Sequence, residues 1–120
     1  MGTEIKIFAL ADDLFTQANG LKHVRELPDM SGMLFRFAKP KVLNFWMVDT
    51  PLPLTIAFID NDNTIVRTEN MIPFSSRTVS SISPCIMALE VKSGTFDKYG
   101  EMVGRKVSVD TEGGKVTIDG

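Results

Sequence analysis

Between Gly32 and Asp60 the chain reads GMLFRFAKPKVLNFWMVDTPLPLTIAFID, three apolar runs divided by breaks at Pro40 and at Pro51 and Pro53. Proline has no N–H to give to a ladder, so Asp49-Thr50-Pro51-Leu52-Pro53 is excluded from a central strand. The last run, Leu54 to Ile59, puts Leu54, Ile56 and Phe58 on one face and Ala57 and Ile59 on the other, as in a strand buried on both sides. Met33 to Phe37 reads as a short apolar strand interrupted only by Arg36, and Lys39-Pro40-Lys41 as a turn. Val42 to Val48 then resumes the strand, with Trp46 near its end. The stretch holds the only tryptophan and four of the eight phenylalanines, which places it at the centre of a β-rich core. Trp46 is expected to be largely buried there.

The flanking segments fit the same architecture. Residues 4–10 alternate in part, with Ile5 and Ile7 on one side and Lys6 on the other, and predict a half-buried strand. Asp12 or Asp13 can cap a helix presenting Leu14, Phe15, Ala18 and Leu21 on one face and ending near His23 to Arg25. Gly20 interrupts that helix late. Asp60-Asn61-Asp62-Asn63 is a turn of residues that bond their own backbone, so Thr64 to Asn70 returns as the partner of Leu54 to Ile59. Met71 to Pro84 shifts to Ser, Thr and Pro and reads as a long irregular loop. Cys85 to Val91 is a further buried strand. Ser93 is placed to cap a short helix across Phe96 and Tyr99, with Gly100 as its stop. Val107 and Val109, then Val116 and Ile118, alternate around Glu112-Gly113-Gly114 as a closing hairpin.

Composition narrows the function classes. With 120 residues, 43% apolar and 23% charged, the chain has the size and make-up of one globular domain. Its formal charge of −2, without a basic run, argues against nucleic acid as a partner. No run approaches the ~18 apolar residues of a membrane span. The start, MGTEIKIFALADD, lacks the pattern of a secretory leader and is a poor myristoylation match, so a cytoplasmic monomer or small homo-oligomer is expected.

The chemistry-bearing residues are few. A single cysteine, Cys85, excludes an intrachain disulfide and a cysteine zinc site, and no basic neighbour activates it; it reads as a small buried hydrophobe. The sole histidine, His23, excludes a multi-histidine metal centre. The serines at Ser75, Ser76, Ser80, Ser81 and Ser83 form no G-x-S-x-G elbow. Asp60-x-Asp62-x-Thr64 has the opening spacing of a calcium loop, but Met71 stands where the closing glutamate belongs, so a plain hairpin turn is expected and no metal. No phosphate-binding glycine pattern occurs, and no cofactor is implied. Arg25, Asp49, Thr50 and Glu90 are the polar residues within or beside the apolar motifs. Two readings follow. Arg25 pairs with Glu90 or Asp49 as a structural ion pair, or these groups line a ligand-binding cleft beside Trp46.

With these motifs placed, the chain resembles the domain-of-unknown-function 192 family from about Ile5 to Val109. The resemblance rests on Gly20-Leu21, Gly32-Met33-Leu34-Phe35, Phe45-Trp46-Met47, Thr50, Pro53-Leu54, Phe58-Ile59-Asp60, and Leu89-Glu90-Val91 with Gly94. It departs at polar positions: Val48-Asp49 stands where members usually carry Lys-Asn, and Thr55 where they carry Asp. The resemblance implies a mostly β domain, a sandwich or distorted barrel of jelly-roll-like form with one or two short helices, and no established activity. The expected function is a non-enzymatic binding or accessory protein for an unknown small molecule or protein. A hydrolase-like enzyme with its cleft beside Trp46 is the rival, and a protein-interaction module, such as a phage encodes, is a third.

Overall fold

The computed structural model describes residues 2–120. In chain order its elements are β1 (Thr3–Ala11), α1 (Leu14–Asn19), β2 (Ser31–Lys41), β3 (Asn44–Phe45), β4 (Leu54–Ile59), β5 (Ile65–Met71), β6 (Val79–Ser80), β7 (Cys85–Lys92), a 3-10 turn at Asp97–Tyr99, β8 (Val107–Asp110) and β9 (Lys115–Ile118). Seven strands form one sheet in the order β5-β4-β7-β2-β1-β9-β8. The β1–β2 pair is parallel and its neighbours are antiparallel. The two edge strands meet at one end. Ile65 N–H donates to the Arg105 carbonyl at 2.9 Å, Gly104 N–H to Ile65 at 2.7 Å and Val107 N–H to Asn63 at 2.8 Å. The sheet therefore curls into a half-barrel; of the two forms expected, sandwich or distorted barrel, it takes the second.

Both faces of the central strands are covered, as the apolarity of β4 requires. One face looks into the barrel, where Ile5, Leu34, Ala57, Leu89, Val91 and Val116 are packed together. The other carries Met33, Phe35, Leu54, Ile56, Phe58 and Ala88 beneath Leu21, Leu27, Leu43, Met47 and Val79. Burying one such side chain contributes about 1.5–3 kcal/mol. The β4–β5 hairpin turns where expected, with Asp60 Oδ1 accepting from the N–H groups of Asp62 at 2.9 Å and Thr64 at 3.0 Å. The β8–β9 hairpin also forms as read.

Several local expectations are corrected. Lys39-Pro40-Lys41 is not a turn, because β2 continues through it and Lys41 pairs with Cys85 beyond an irregularity after Arg36. Pro40 is tolerated because this end of β2 is exposed. The strand expected over Val42 to Val48 shrinks to the two residues of β3, which pair with β6 inside the supposed irregular loop. α1 stops at Asn19 rather than near Arg25: Gly20 caps it at φ 50°, its N–H donating to Thr16. Asp13 is the N-cap, its carboxylate accepting from Thr16 N–H at 2.8 Å. The expected apolar helix face is also wrong, since Leu14 is 84% and Phe15 76% exposed, and only Leu21, beyond the helix, is buried. Ser93 caps nothing; the 3-10 turn follows Phe96 without a side-chain cap and stops at Gly100.

Candidate ligand-binding site

Strand β7, CIMALEVK, carries one acid in an apolar run. Period-two alternation turns Leu89 and Val91 into the barrel and Glu90 onto the opposite face, between Met33 of β2 and Ile56 of β4. Glu90 is 4% exposed. Among the described residues no side chain or backbone group hydrogen-bonds its carboxyl, and it joins no ion pair. Among the described residues no buried side-chain oxygen is left without both partner and solvent, so the carboxyl oxygens reach the space in front of them. That space is a cavity of about 440 Å³ lined in part by Glu90. Burial pushes the Glu90 carboxyl up from the ordinary 4.5 to about 8, because a charge removed from water without a partner is strongly disfavoured.

The cavity lies over the outer face of the sheet, walled by α1 with the turn after it and by the segment from Lys41 to Met47. Phe35, Leu54 and Glu90 come from the sheet beneath. Phe37, Phe45 and Trp46 add aromatic surface, and Thr50 a hydroxyl. Phe35 meets Phe45 edge-on at 4.9 Å between centroids, and Phe45 meets Phe58 at 5.9 Å, so the aromatic wall is fixed by packing. Gln17 Nε2 donates to the Arg36 carbonyl at 2.7 Å and ties α1 to β2. The opposite wall is held by backbone: Leu43 N–H donates to Ser81 Oγ at 2.8 Å and Met47 N–H to the Ser75 carbonyl at 3.1 Å.

Of the five residues singled out in the sequence, the structure gathers Trp46, Thr50 and Glu90 around this cavity and leaves Arg25 and Asp49 outside it. Arg25 is exposed on the connection between α1 and β2. The expected Arg25–Glu90 or Arg25–Asp49 ion pair is therefore absent among the described residues. Asp49 acts through its backbone: it sits at φ 59°, its carbonyl accepts from His23 N–H at 2.8 Å, and its side chain is exposed. Trp46 is 53% exposed, not buried. The two-residue β3 ends before it, so it stands at the cavity rim while Met47 turns inward. Thr50 is buried, its hydroxyl donating to the Val48 carbonyl at 3.3 Å.

Sequence reasoning missed Phe35, Phe37, Gln17, Lys22 and Lys41 as cavity residues. In the nearly continuous run Met33 to Phe37 nothing marked which face was covered, although the spacing of Phe35 and Phe37 puts them on one side. Cys85 is buried, and burial together with the charge of Asp60 raises its thiol against the hydrogen bonds of Ser81 and Ser83, as suits an inert packing residue. No helix among the described residues is long and apolar enough to cross a membrane.

A half-barrel whose outer face holds a ligand-sized aromatic cavity over one buried acid defines a small β domain with a preformed pocket. The chain belongs to the domain-of-unknown-function 192 family, described as an uncharacterised ACR, which matches residues 2–109. Two solved structures share the fold. A protein of unknown function from Novosphingobium aromaticivorans DSM 12444 superposes with a TM-score of 0.81 at 30% identity, over 86% of this chain and 75% of that one. A protein from Sinorhizobium meliloti 1021, provisionally described as a transcription regulator, gives 0.77 at 35% identity, over 81% and 76%. No curated protein matches the chain.

Proposed function

We propose that this protein binds a compact, largely apolar small molecule in the cavity beside Trp46 and does so without transforming it. One observation carries the reading: a buried carboxyl without a protein partner opens onto a cavity of about 440 Å³. Buried polar groups in folded proteins are ordinarily satisfied, and an acid kept in such a place disfavours the fold. A ligand that reaches Glu90 removes that conflict. Hydrolysis would call for a nucleophile or a second acid–base group beside Glu90. The other charged residues lining the cavity are Lys22 and Lys41, the Thr50 hydroxyl is engaged with the Val48 carbonyl, and His23 is exposed outside it.

The test is an unbiased thermal-shift screen, with each hit checked by the fluorescence of Trp46, the single tryptophan at the rim. Hits should raise the melting temperature, change Trp46 emission saturably, and lose both effects when Ala18→Phe narrows the cavity from its α1 wall. Hits that bind Ala18→Phe unchanged would place the site elsewhere. A hit consumed on incubation with the protein would overturn the non-enzymatic reading.

A further inference from the structure

We propose that the cavity selects an organic cation, an apolar molecule whose ammonium group lies against the Glu90 carboxylate among the rings of Phe35, Phe37, Phe45 and Trp46. This rests on the reading of the cavity as a binding site and adds the charge of what it takes. The floor supplies an acid that no cation among the described residues neutralises. The walls supply aromatic faces, whose quadrupoles attract positive charge, with more effect where water is excluded. One of these rings already attracts a cation: Lys41 Nζ lies 4.8 Å from the Phe37 centroid. A neutral ligand would use one hydrogen bond to Glu90 and gain nothing electrostatic from the rings. An anion would oppose both floor and walls.

The groups that oppose a cation are Lys22, on the turn after α1, and Lys41, at the end of β2; no other ionisable side chain besides Glu90 lines the cavity. Lys41 is exposed and Lys22 partly so. Their repulsion acts largely through water, where two unit charges 4 Å apart interact by only about 1 kcal/mol. The attraction of Glu90 comes from a residue only 4% exposed, where a charge pair interacts more strongly than in open water. Charge on the ligand is therefore decided at the floor.

The selection is coupled to a proton. Glu90 titrates at about 8, so at neutral pH it is mostly a neutral acid and must release its proton to hold a cation. Affinity for a permanent cation is scaled by the ionised fraction. It should rise about fifty-fold from pH 6 to pH 8 and level off above that, for a group titrating near 8.

The experiment titrates the full chain with hexyltrimethylammonium, 1-heptanol and heptanoate, three probes of similar size and different charge. Trp46 fluorescence and calorimetry are read at pH 6, 7 and 8. Hexyltrimethylammonium should bind at least ten-fold tighter than 1-heptanol at pH 8, with the fifty-fold pH dependence and proton release at pH 7. Glu90→Gln should abolish both the preference for the cation and its pH dependence, so that hexyltrimethylammonium binds no tighter than 1-heptanol at any pH. If 1-heptanol binds as tightly as the cation, or the cation's affinity is flat with pH, or Glu90→Gln keeps the preference, the inference fails while the cavity still binds. If none of the three probes alters Trp46 emission, the inference fails together with the binding reading beneath it.

Discussion

Glu90→Gln should stabilise this protein at neutral pH, and the gain should grow with pH. In the unfolded chain the carboxyl titrates near 4.5, and in the folded one near 8. Between these values the folded state binds more protons than the unfolded state, so stability falls as pH rises. The contribution of the protonated side chain is fully present below about pH 4.5 and is lost progressively up to pH 8. Each pH unit inside the window costs about 1.4 kcal/mol. Relative to a neutral side chain of the same shape, Glu90 therefore lowers stability by about 1 kcal/mol at pH 5 and about 3 kcal/mol at pH 7, rising to about 4 kcal/mol at pH 8. Glutamine keeps the volume and cannot ionise.

Urea unfolding of both proteins at pH 5, 6, 7 and 8 gives the difference in stability at each pH. Groups common to the two proteins cancel in that difference. The advantage of Glu90→Gln should widen by about 3 kcal/mol between pH 5 and pH 8, and its value of about 3 kcal/mol at pH 7 corresponds to a melting temperature raised by roughly 10 °C for a chain of this size. An advantage independent of pH would refute the reasoning. It would show that the Glu90 carboxyl is solvated or paired in the folded state and that its ionisation costs nothing.

Trp46→Ala should lower stability by only about 1 kcal/mol, well short of the 3–5 kcal/mol that truncating a buried tryptophan costs, because half of the ring is in water; urea unfolding decides, and a loss above 3 kcal/mol would mean that the ring packs inward. Gly32→Ala should destabilise by about 3 kcal/mol or more, since a Cβ there would stand 2.5 Å from the Glu90 carbonyl and 2.9 Å from Val91 Cγ1; a melting temperature within 2 °C or so of the parent, on the scale of about 4 °C per kcal/mol, would show that β2 and β7 can part at no cost.

How much of this was legible depended on whether a residue's surroundings are local. Leu54 to Ile59 declared itself, because apolar side chains on both parities leave a strand no solvent face, and the Asp60 turn then fixed its partner. The Phe45-Trp46-Met47 segment did not. A large ring in an apolar run predicts burial, but whether the run continues as a strand depended on β6, thirty-odd residues later, which pairs with only Asn44 and Phe45. The α1 face failed for the same reason, since helical periodicity shows which residues align and not whether anything covers them. Leu14 and Phe15 align and face water. Among the candidate site residues, Glu90 reads, like Arg25, Asp49 and Thr50, as a polar group within or beside the apolar motifs, and only the register of β7 shows that it is the acid buried on the outer face. Nearness in sequence to those motifs carried into space for Thr50 and Glu90, which line the cavity, and not for Arg25 and Asp49.

The placement of Glu90 follows from how the two cores divide the work. Ser31, Thr50 and Ser81, also buried, each donate to a nearby carbonyl, so their burial costs little. Glu90 has no such outlet, and its penalty of about 3 kcal/mol at pH 7 is a large share of the 5–15 kcal/mol by which domains are stable. The fold tolerates this because the residues beside Glu90, Leu89 and Val91, point the other way, into a half-barrel interior joined at one end where β5 and β8 begin. That interior does not depend on what happens on the outer face. A carboxyl can thus be held largely buried on a central strand, with neighbours that face away from the cavity. A loop could carry the same acid, but it would let the carboxyl swing out to water and its pKa would return to ordinary values. The strained acid and the cavity in front of it are one arrangement: take away the central strand's double-sided packing and neither survives.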